Sequence, residues 1–159
     1  MARGPAVGEI VPDFELPEAY GGKVRLSDVL ARDTALIAFY PSDFGAMCAV
    51  EMKALQNLNV QFREQRTQVL GVSTNSAFVH SAWKSHLNLP FPLLADFDGK
   101  MSDRYGVLVR EEGYMLGRCK RGVFIIDRGG VLRYKWITED HASEPDYDEL
   151  LAVCSELLR

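Results

Sequence analysis

Residues 34–48 read Thr-Ala-Leu-Ile-Ala-Phe-Tyr-Pro-Ser-Asp-Phe-Gly-Ala-Met-Cys, and they decide the fold. The stretch opens with a short, mostly apolar run that Pro41 ends, a pattern typical of a strand buried on both faces of a parallel sheet. After a loop, residues recur at steps of four and three along one stripe of a helix: Cys48, Met52, Leu55, Leu58 and Phe62. The sequence therefore predicts a buried strand, a loop, and a helix whose first turn carries Cys48.

Strands and helices are predicted to alternate on both sides of this unit. Upstream, residues 12–30 are typical of extended segments that break at Gly21-Gly22, which predicts an N-terminal β-hairpin. Downstream, apolar runs predict four strands, at 69–73, 92–96, 122–127 and 131–136, the last two joined at Gly129-Gly130. Helices are expected at 77–87, 100–105 and 148–158, the first with Phe78, Ala82 and Trp83 facing inward.

The composition is that of an ordinary globular chain. It has 159 residues, 47% of them apolar, and 18 Lys and Arg against 22 Asp and Glu give a net charge of −4. A domain of this length buries roughly 70% of the surface that its unfolded chain exposes, so residues 1–159 are predicted to form one domain without a disulfide or metal. The acidic excess offers no basic field for phosphates, so nucleic acid is not an expected partner. Because no run approaches the ~18 apolar residues of a membrane span and no secretory signal is recognisable, we expect a cytoplasmic protein with no membrane partner.

The three cysteines are Cys48, Cys119 and Cys154, an odd number at wide spacing that fits neither a secreted disulfide framework nor a C-x-x-C pair. At a helix N-terminus, unpaired N–H groups and the positive end of the helix dipole stabilise a thiolate. With a cationic partner, the pKa of a thiol in this setting falls from ~8.5 into the range of ~3.5–7.5. A Cys48 that only packs explains the helical stripe equally well, so the spacing alone leaves both interpretations open.

Residues 40–51 resemble the active-site loop of the peroxiredoxins, of the alkyl hydroperoxide reductase C and thiol-specific antioxidant type. Pro41, the Asp43-Phe44 pair, Cys48 and Glu51 match the family pattern. Other segments similar to family motifs follow in the family's order: Pro12-Asp13-Phe14, Phe78-x-His80-x-x-Trp83, residues 92–96, residues 105–108 and residues 121–127. The resemblance therefore extends from residue 8 to residue 127.

The resemblance implies a thioredoxin-like α/β fold, with a central mixed sheet flanked by helices and an N-terminal β-hairpin. It implies a thiol peroxidase in which Cys48 attacks hydrogen peroxide or an organic hydroperoxide and becomes a sulfenic acid. Arg121 and the backbone N–H groups around Met47 and Cys48 are expected to stabilise the charge on the leaving oxygen. Pro41 is expected to shield the sulfur, and Glu51 to orient an arginine. No metal, haem, flavin or other cofactor is expected, whereas a homodimer or a larger homo-oligomer is.

The sequence departs from the family pattern at Gly45, where the family has a Thr or Ser hydroxyl that bonds the peroxide. Losing one hydrogen bond to a charged group costs roughly 1.5–3 kcal/mol, which corresponds to about 10–150-fold in rate when only the transition state makes the bond. A slowed peroxidase is compatible with this loss. The alternative is a weakened, peroxiredoxin-like redox sensor or interaction protein, whereas thioredoxin-type disulfide exchange is disfavoured by the lack of a C-x-x-C pair.

A second departure concerns how the oxidised cysteine is recycled. Lys53 stands where the bacterioferritin-comigratory type has its resolving cysteine, and the chain lacks the Val-Cys-Pro tail of typical two-cysteine members. Cys119 and Cys154 are the remaining candidates for a resolving role, although the apolar stripe around Cys154 favours a core position. We therefore expect a one-cysteine mechanism with an external thiol reductant, either a thioredoxin-like protein or a low-molecular-weight thiol. The three histidines lack metal-ligand spacing and are interpreted as surface or packing residues: His80, His86 and His141.

Overall fold

The structure is a computed structural model that describes residues 3–159. Its centre is a five-stranded mixed sheet with the order β5-β4-β3-β6-β7. The strands of this sheet are β3 (Thr34–Phe39), β4 (Thr67–Ser73), β5 (Leu93–Ala95), β6 (Arg121–Ile126) and β7 (Leu132–Thr138). The helices are α1 (Leu26–Leu30), α2 (Ala46–Glu64), α3 (Ala77–Leu87), α4 (Lys100–Arg104) and α5 (Tyr147–Leu157). The predicted order of strands and helices is therefore confirmed from β3 onward.

The N-terminal hairpin is formed by β1 (Glu15–Pro17) and β2 (Lys23–Arg25), which pair antiparallel across Leu16 and Val24. Its turn contains Gly21 and Gly22, both at positive φ, a conformation that glycine adopts without steric cost. The expectation of extended backbone as far as Leu30 is wrong. Leu26, Val29 and Leu30 are all buried, and their helical spacing turns the chain into α1 directly after β2.

The central strand β3 is buried along its whole length, as predicted. It pairs parallel with β4 on one side and antiparallel with β6 on the other. Alternate residues of β3 face two apolar cores, with Ile37 and Phe39 in one core and Leu36 and Ala38 in the other. The sheet thus separates the protein into two buried layers, a distinction that decides which cysteines can meet.

Helix α2 carries the predicted apolar stripe. Cys48, Met52, Leu55 and Phe62 are buried and Leu58 is half-buried, so the stripe packs against the sheet as its spacing indicated. Gly45 caps the helix from an extended backbone conformation with φ −71° and ψ 137°. The predicted position of Cys48 in the first turn is confirmed.

The predicted inward face of α3 is wrong in two of its three residues. Phe78 is 88% exposed and Ala82 is also exposed, whereas Trp83 is buried as expected. The residue that shares the inner face with Trp83 is His80, three positions earlier, and it is fully buried. The sequence of α3 does not indicate that His80 is buried, because the hydrogen-bond partners that permit its burial lie on other elements. None of the helices within residues 3–159 is long and apolar enough to cross a membrane.

Candidate active site

The site forms at the carboxyl end of the central strand β3, where the loop after β3, the start of β6 and the first turn of α2 meet. The pairing of β3 with β6 places Phe39 opposite Gly122, so the loop that follows β3 lies next to the residue that begins β6. That residue is Arg121, and the first turn of α2 brings Cys48 to the same place. The antiparallel register therefore joins two residues that are 73 positions apart in the chain.

Arg121 is bonded to three groups around its guanidinium. Its Nη2 donates to Cys48 Sγ over 3.4 Å and to the carbonyl oxygen of His141 over 3.1 Å. Its Nη1 donates to Glu51 Oε1 over 2.7 Å. Arg121 is 1% exposed and Cys48 is 3% exposed, so little water screens their interaction. The structure thus brings together Cys48, Arg121 and Glu51, as the sequence predicted.

The buried ion pair of Glu51 and Arg121 is incompletely hydrogen-bonded. Burial raises the pKa of Glu51 to about 7, although the charge of Arg121 acts in the opposite direction, and Glu144 adds to the increase. Burial alone lowers the pKa of Arg121, but the charges of Glu51 and Cys48 outweigh it and raise that pKa. Glu51 Oε2 and Arg121 Nε are both buried and have no hydrogen-bond partner among the described residues. The Glu51 carboxylate is therefore held through a single oxygen.

A pocket of about 400 Å³ opens above Cys48. Five of its lining residues are candidates from the sequence: Pro41, Gly45, Met47, Cys48 and Arg121. Pro41 is buried and Met47 is half-buried beside the sulfur. Six further lining residues were not predicted: Ser42, Ala46, Tyr114, Met115, Arg118 and His141. One wall of the pocket is thus formed by Tyr114, Met115 and Arg118 of the segment 109–118, for which the sequence indicated no role.

Gly45 lies directly beside the sulfur and leaves little room for a side chain. A Cβ built on Gly45 would lie 3.2 Å from Cys48 Sγ and 3.2 Å from the carbonyl oxygen of Ser42. No side chain caps α2, and the first bond of the helix runs from the N–H of Ala49 to the carbonyl of Gly45. The N–H groups of Ala46, Met47 and Cys48 therefore precede the helical ladder and remain as donors at the positive end of the helix dipole.

A buried polar network supports the loop from below. Tyr40 Oη donates to Asp43 Oδ1 over 2.6 Å, and Asp43 Oδ2 lies 2.6 Å from His80 Nδ1. His80 Nε2 lies 2.9 Å from the carbonyl oxygen of Leu94 on β5, which can only accept a hydrogen bond. Burial and the charge of Asp43 raise the pKa of Tyr40 well above its usual value, so its hydroxyl stays a donor. Sequence reasoning missed this network because its members come from the loop after β3, from α3 and from β5.

The other two cysteines lie away from Cys48. Cys119 is in the opposite core layer, where its Sγ lies 3.1 Å from Ser102 Oγ, and burial raises its pKa to about 12. Cys154 is in the same layer as Cys48 but next to Thr67, and burial raises its pKa to about 11. Thr67 pairs with Thr34 at the far end of β3, roughly 16 Å from the Phe39 end at 3.3 Å per residue. A disulfide needs Cα atoms within about 7 Å.

The histidines belong to three different environments. His80 is part of the buried network, His86 is exposed, and His141 is half-buried with its ring edge-to-face against Tyr114. His141 accepts a hydrogen bond from Arg121 through its backbone carbonyl, so no side-chain pattern indicated this residue. Within residues 3–159, no group of three or more His, Cys, Asp or Glu side chains is placed to hold a metal.

Comparisons with known proteins identify a family and several relatives of this chain. A model of the AhpC/TSA family matches residues 7–135. The protein named 2-Cys peroxiredoxin BAS1, chloroplastic, of Spinacia oleracea is 37% identical over 143 residues, or 84% of this chain and 52% of that protein. The putative peroxiredoxin YkuU of Bacillus subtilis is 34% identical over 163 aligned positions, covering 95% of this chain and 88% of that protein.

Solved structures show the same fold. The structure titled Mycobacterium tuberculosis AhpC superposes with a TM-score of 0.84 at 26% identity, over 97% of this chain and 93% of that chain. The thioredoxin-like fold with its N-terminal hairpin is thus confirmed. The chain spans about half the length of the spinach relative. From the family match and these relatives, the chain belongs to the AhpC/TSA family, the peroxiredoxins.

Proposed function

We propose that this chain is a thiol peroxidase that reduces hydroperoxides through Cys48. One observation carries the proposal: Arg121 Nη2 lies 3.4 Å from Cys48 Sγ at the floor of an open pocket. Arg121 is held in place by Glu51 and by the backbone of His141, so its charge is directed at the sulfur before a substrate arrives. The named peroxiredoxin relatives support the same chemistry.

The reaction is a displacement on oxygen. The Cys48 thiolate attacks the terminal oxygen of R–O–OH, an S–O bond forms, and the O–O bond breaks. The sulfur is oxidised to a sulfenic acid, S–OH, and the leaving RO⁻ takes up a proton to become water or an alcohol. Negative charge moves onto the leaving oxygen in the transition state, where Arg121 and the free N–H groups of Met47 and Cys48 are placed to stabilise it. Pro41 covers the sulfur from solvent.

Recycling is proposed to require a thiol from outside the chain. Cys119 lies on the other face of the sheet, and Cys154 lies near the far end of β3. Both are fully buried, and neither lines the pocket that holds Cys48. An external thiol, thioredoxin-like or of low molecular weight, attacks the sulfenic acid instead. A cytoplasmic location, a single domain over residues 1–159 and a homo-oligomeric state stay predictions.

Gly45 supports a second candidate, a redox sensor or interaction protein that turns over poorly. The pocket wall beside the sulfur has no hydroxyl on residue 45, and the hydroxyl of Ser42 donates to the backbone carbonyl of Asp43. The two candidates differ in kinetics. A peroxidase oxidises quickly and cycles with a thiol, whereas a sensor is oxidised once and stalls.

The test is a single-turnover reaction of the fully reduced protein with one equivalent of hydrogen peroxide, followed by stopped-flow fluorescence and intact mass. We expect rapid gain of one oxygen atom that is absent in Cys48→Ser and slowed in Arg121→Lys, with Cys154→Ser as the matched control. Loss of two hydrogens instead would show that Cys119 or Cys154 resolves the sulfenic acid. Reaction no faster than that of a free thiol would reject the peroxidase proposal.

A further inference from the structure

The pocket above Cys48 contains a second cation that the proposed reaction does not use. Arg118 is half-buried and lines the same pocket as Cys48 and Arg121. Among the residues that the structure describes, none forms a hydrogen bond or an ion pair with its guanidinium. Five other arginines each have a carboxylate oxygen within 3.2 Å: Arg25, Arg63, Arg110, Arg121 and Arg133. Arg118 therefore lines the pocket with a charge that no carboxylate of the described residues neutralises.

The rest of the pocket is too large and too apolar for hydrogen peroxide alone. Its volume is about 400 Å³, whereas a water molecule occupies about 30 Å³ in the liquid. The walls away from the two arginines are mainly apolar: Pro41, Ala46, Met47, Tyr114 and Met115. This shape and lining suit an organic substituent between the sulfur and Arg118.

A planar guanidinium binds carboxylates through two parallel hydrogen bonds, and partial burial strengthens them because less water competes. We propose that Arg118 forms a carboxylate-binding subsite of the pocket. Its ligand is a hydroperoxide with an apolar body and a carboxylate, such as a fatty-acid hydroperoxide, whose peroxide group reaches Cys48 and Arg121. This inference rests on the proposed peroxidase function. A carboxylate-bearing thiol reductant offers the same chemistry, so the test separates the two sources.

Neighbouring charges favour this orientation. An adjoining cavity shares Tyr114, Met115 and His141 with the pocket and is lined by Glu111, Glu112, Glu139 and Lys120. Lys120 Nζ lies 2.8 Å from Glu139 Oε1, and the other two glutamates are exposed. A substrate carboxylate is repelled by these glutamates and attracted by Arg118, so it is directed into the pocket's free cationic corner.

The oxidation arm of the test uses a matched pair of substrates, linoleic acid hydroperoxide and its methyl ester. Stopped-flow rate constants for Cys48 oxidation give an acid-to-ester ratio, which cancels general losses of reactivity. We expect Arg118→Gln to lower this ratio by about tenfold or more, and Arg118→Lys to retain part of it. Arg110→Gln is the control, because it removes one charge from the same segment outside the pocket. An unchanged ratio in Arg118→Gln, with no effect in the reduction arm, would overturn the proposal.

The reduction arm compares glutathione with 2-mercaptoethanol as reductants of preformed Cys48 sulfenic acid. A fall in the glutathione-to-mercaptoethanol ratio in Arg118→Gln, without a fall in the acid-to-ester ratio, would assign the subsite to the reductant and support a carboxylate site. Calorimetric binding of linoleate, which is unreactive, tests the subsite without any peroxidase activity. Equal affinity in the parent and in Arg118→Gln would count against it. Failure of the parent to react with hydrogen peroxide would reject the peroxidase function separately.

Discussion

Glu51 is a buried carboxylate with only one bonded oxygen, and this makes it sensitive to pH. Burial raises the pKa of Glu51 to about 7, compared with 4.5 for an exposed glutamate. Between these values the native state holds a proton that the unfolded state has released. The free energy of unfolding therefore falls as the pH rises through this window, by up to about 3 kcal/mol from this one group.

We expect Glu51→Gln to remove this pH dependence. Urea unfolding of Cys48→Ser and of Cys48→Ser with Glu51→Gln, at about pH 5 and about pH 8, measures it without the titration of the thiol. Arg121 loses its charged partner in the Glu51→Gln variant at every pH. The informative quantity is therefore the difference between the two proteins in how strongly the free energy of unfolding depends on pH. Parallel profiles for the two proteins would contradict the raised pKa.

The backbone at Gly45 accepts a side chain, since its φ and ψ are ordinary for any residue. We expect Gly45→Ser to speed Cys48 oxidation by on the order of tenfold, because its hydroxyl would donate to the bound peroxide. The built Cβ lies 3.2 Å from both Cys48 Sγ and the Ser42 carbonyl oxygen, so Gly45→Ala measures the cost of these two contacts without the hydroxyl. Single-turnover kinetics with hydrogen peroxide compare the variants. Serine and alanine variants with the same rate would show that the hydroxyl contributes nothing.

At the scale of the elements, the network of Tyr40, Asp43 and His80 fixes the loop after β3 to α3 and β5. His80 Nε2 must donate to the Leu94 carbonyl, so one proton lies between His80 Nδ1 and Asp43 Oδ2. Both side chains of this pair are fully buried. Removing either partner therefore leaves a buried group without its proton donor or acceptor.

We expect His80→Leu to lower the free energy of unfolding by about 3 kcal/mol or more, because the buried Asp43 loses its partner. His86→Leu on the same helix is the matched control, since His86 is exposed, and its loss is expected to be less than about 1 kcal/mol. Urea unfolding measures both variants. Similar small losses in the two would show that the network does not stabilise the loop.

The elements show where sequence reasoning succeeds and where it fails. The apolar run of β3 and the stripe of α2 were predictable because each pattern reports a single burial direction along one element. The inner face of α3 was not, because His80 is buried by bonds to Asp43 and Leu94, which are distant in sequence. Tyr114, Met115 and Arg118 were missed for a related reason, since the segment 109–118 has no helix or strand and no periodic pattern.

In the whole molecule, the sheet separates Cys119 from Cys48, whereas Cys154 shares the core layer of Cys48 but lies near the opposite end of β3. We expect one fast-reacting thiol per native chain and three after unfolding, because Cys119 and Cys154 are fully buried while Cys48 faces the pocket. Titration with a chromogenic disulfide, with and without urea, followed by peptide mass mapping, measures this. An intrachain disulfide after peroxide treatment of the native protein would contradict the separation of Cys48 from Cys119 and Cys154.

The pairing of Phe39 with Gly122 also has a consequence for the newly made chain. Cys48 leaves the ribosome 73 residues before Arg121, and the two meet only when β6 pairs with β3. Until that pairing forms, Cys48 has no guanidinium beside it. The proposed reactivity of Cys48 towards peroxide therefore depends on the pairing of β3 with β6, and it offers a chemical assay for that step of folding.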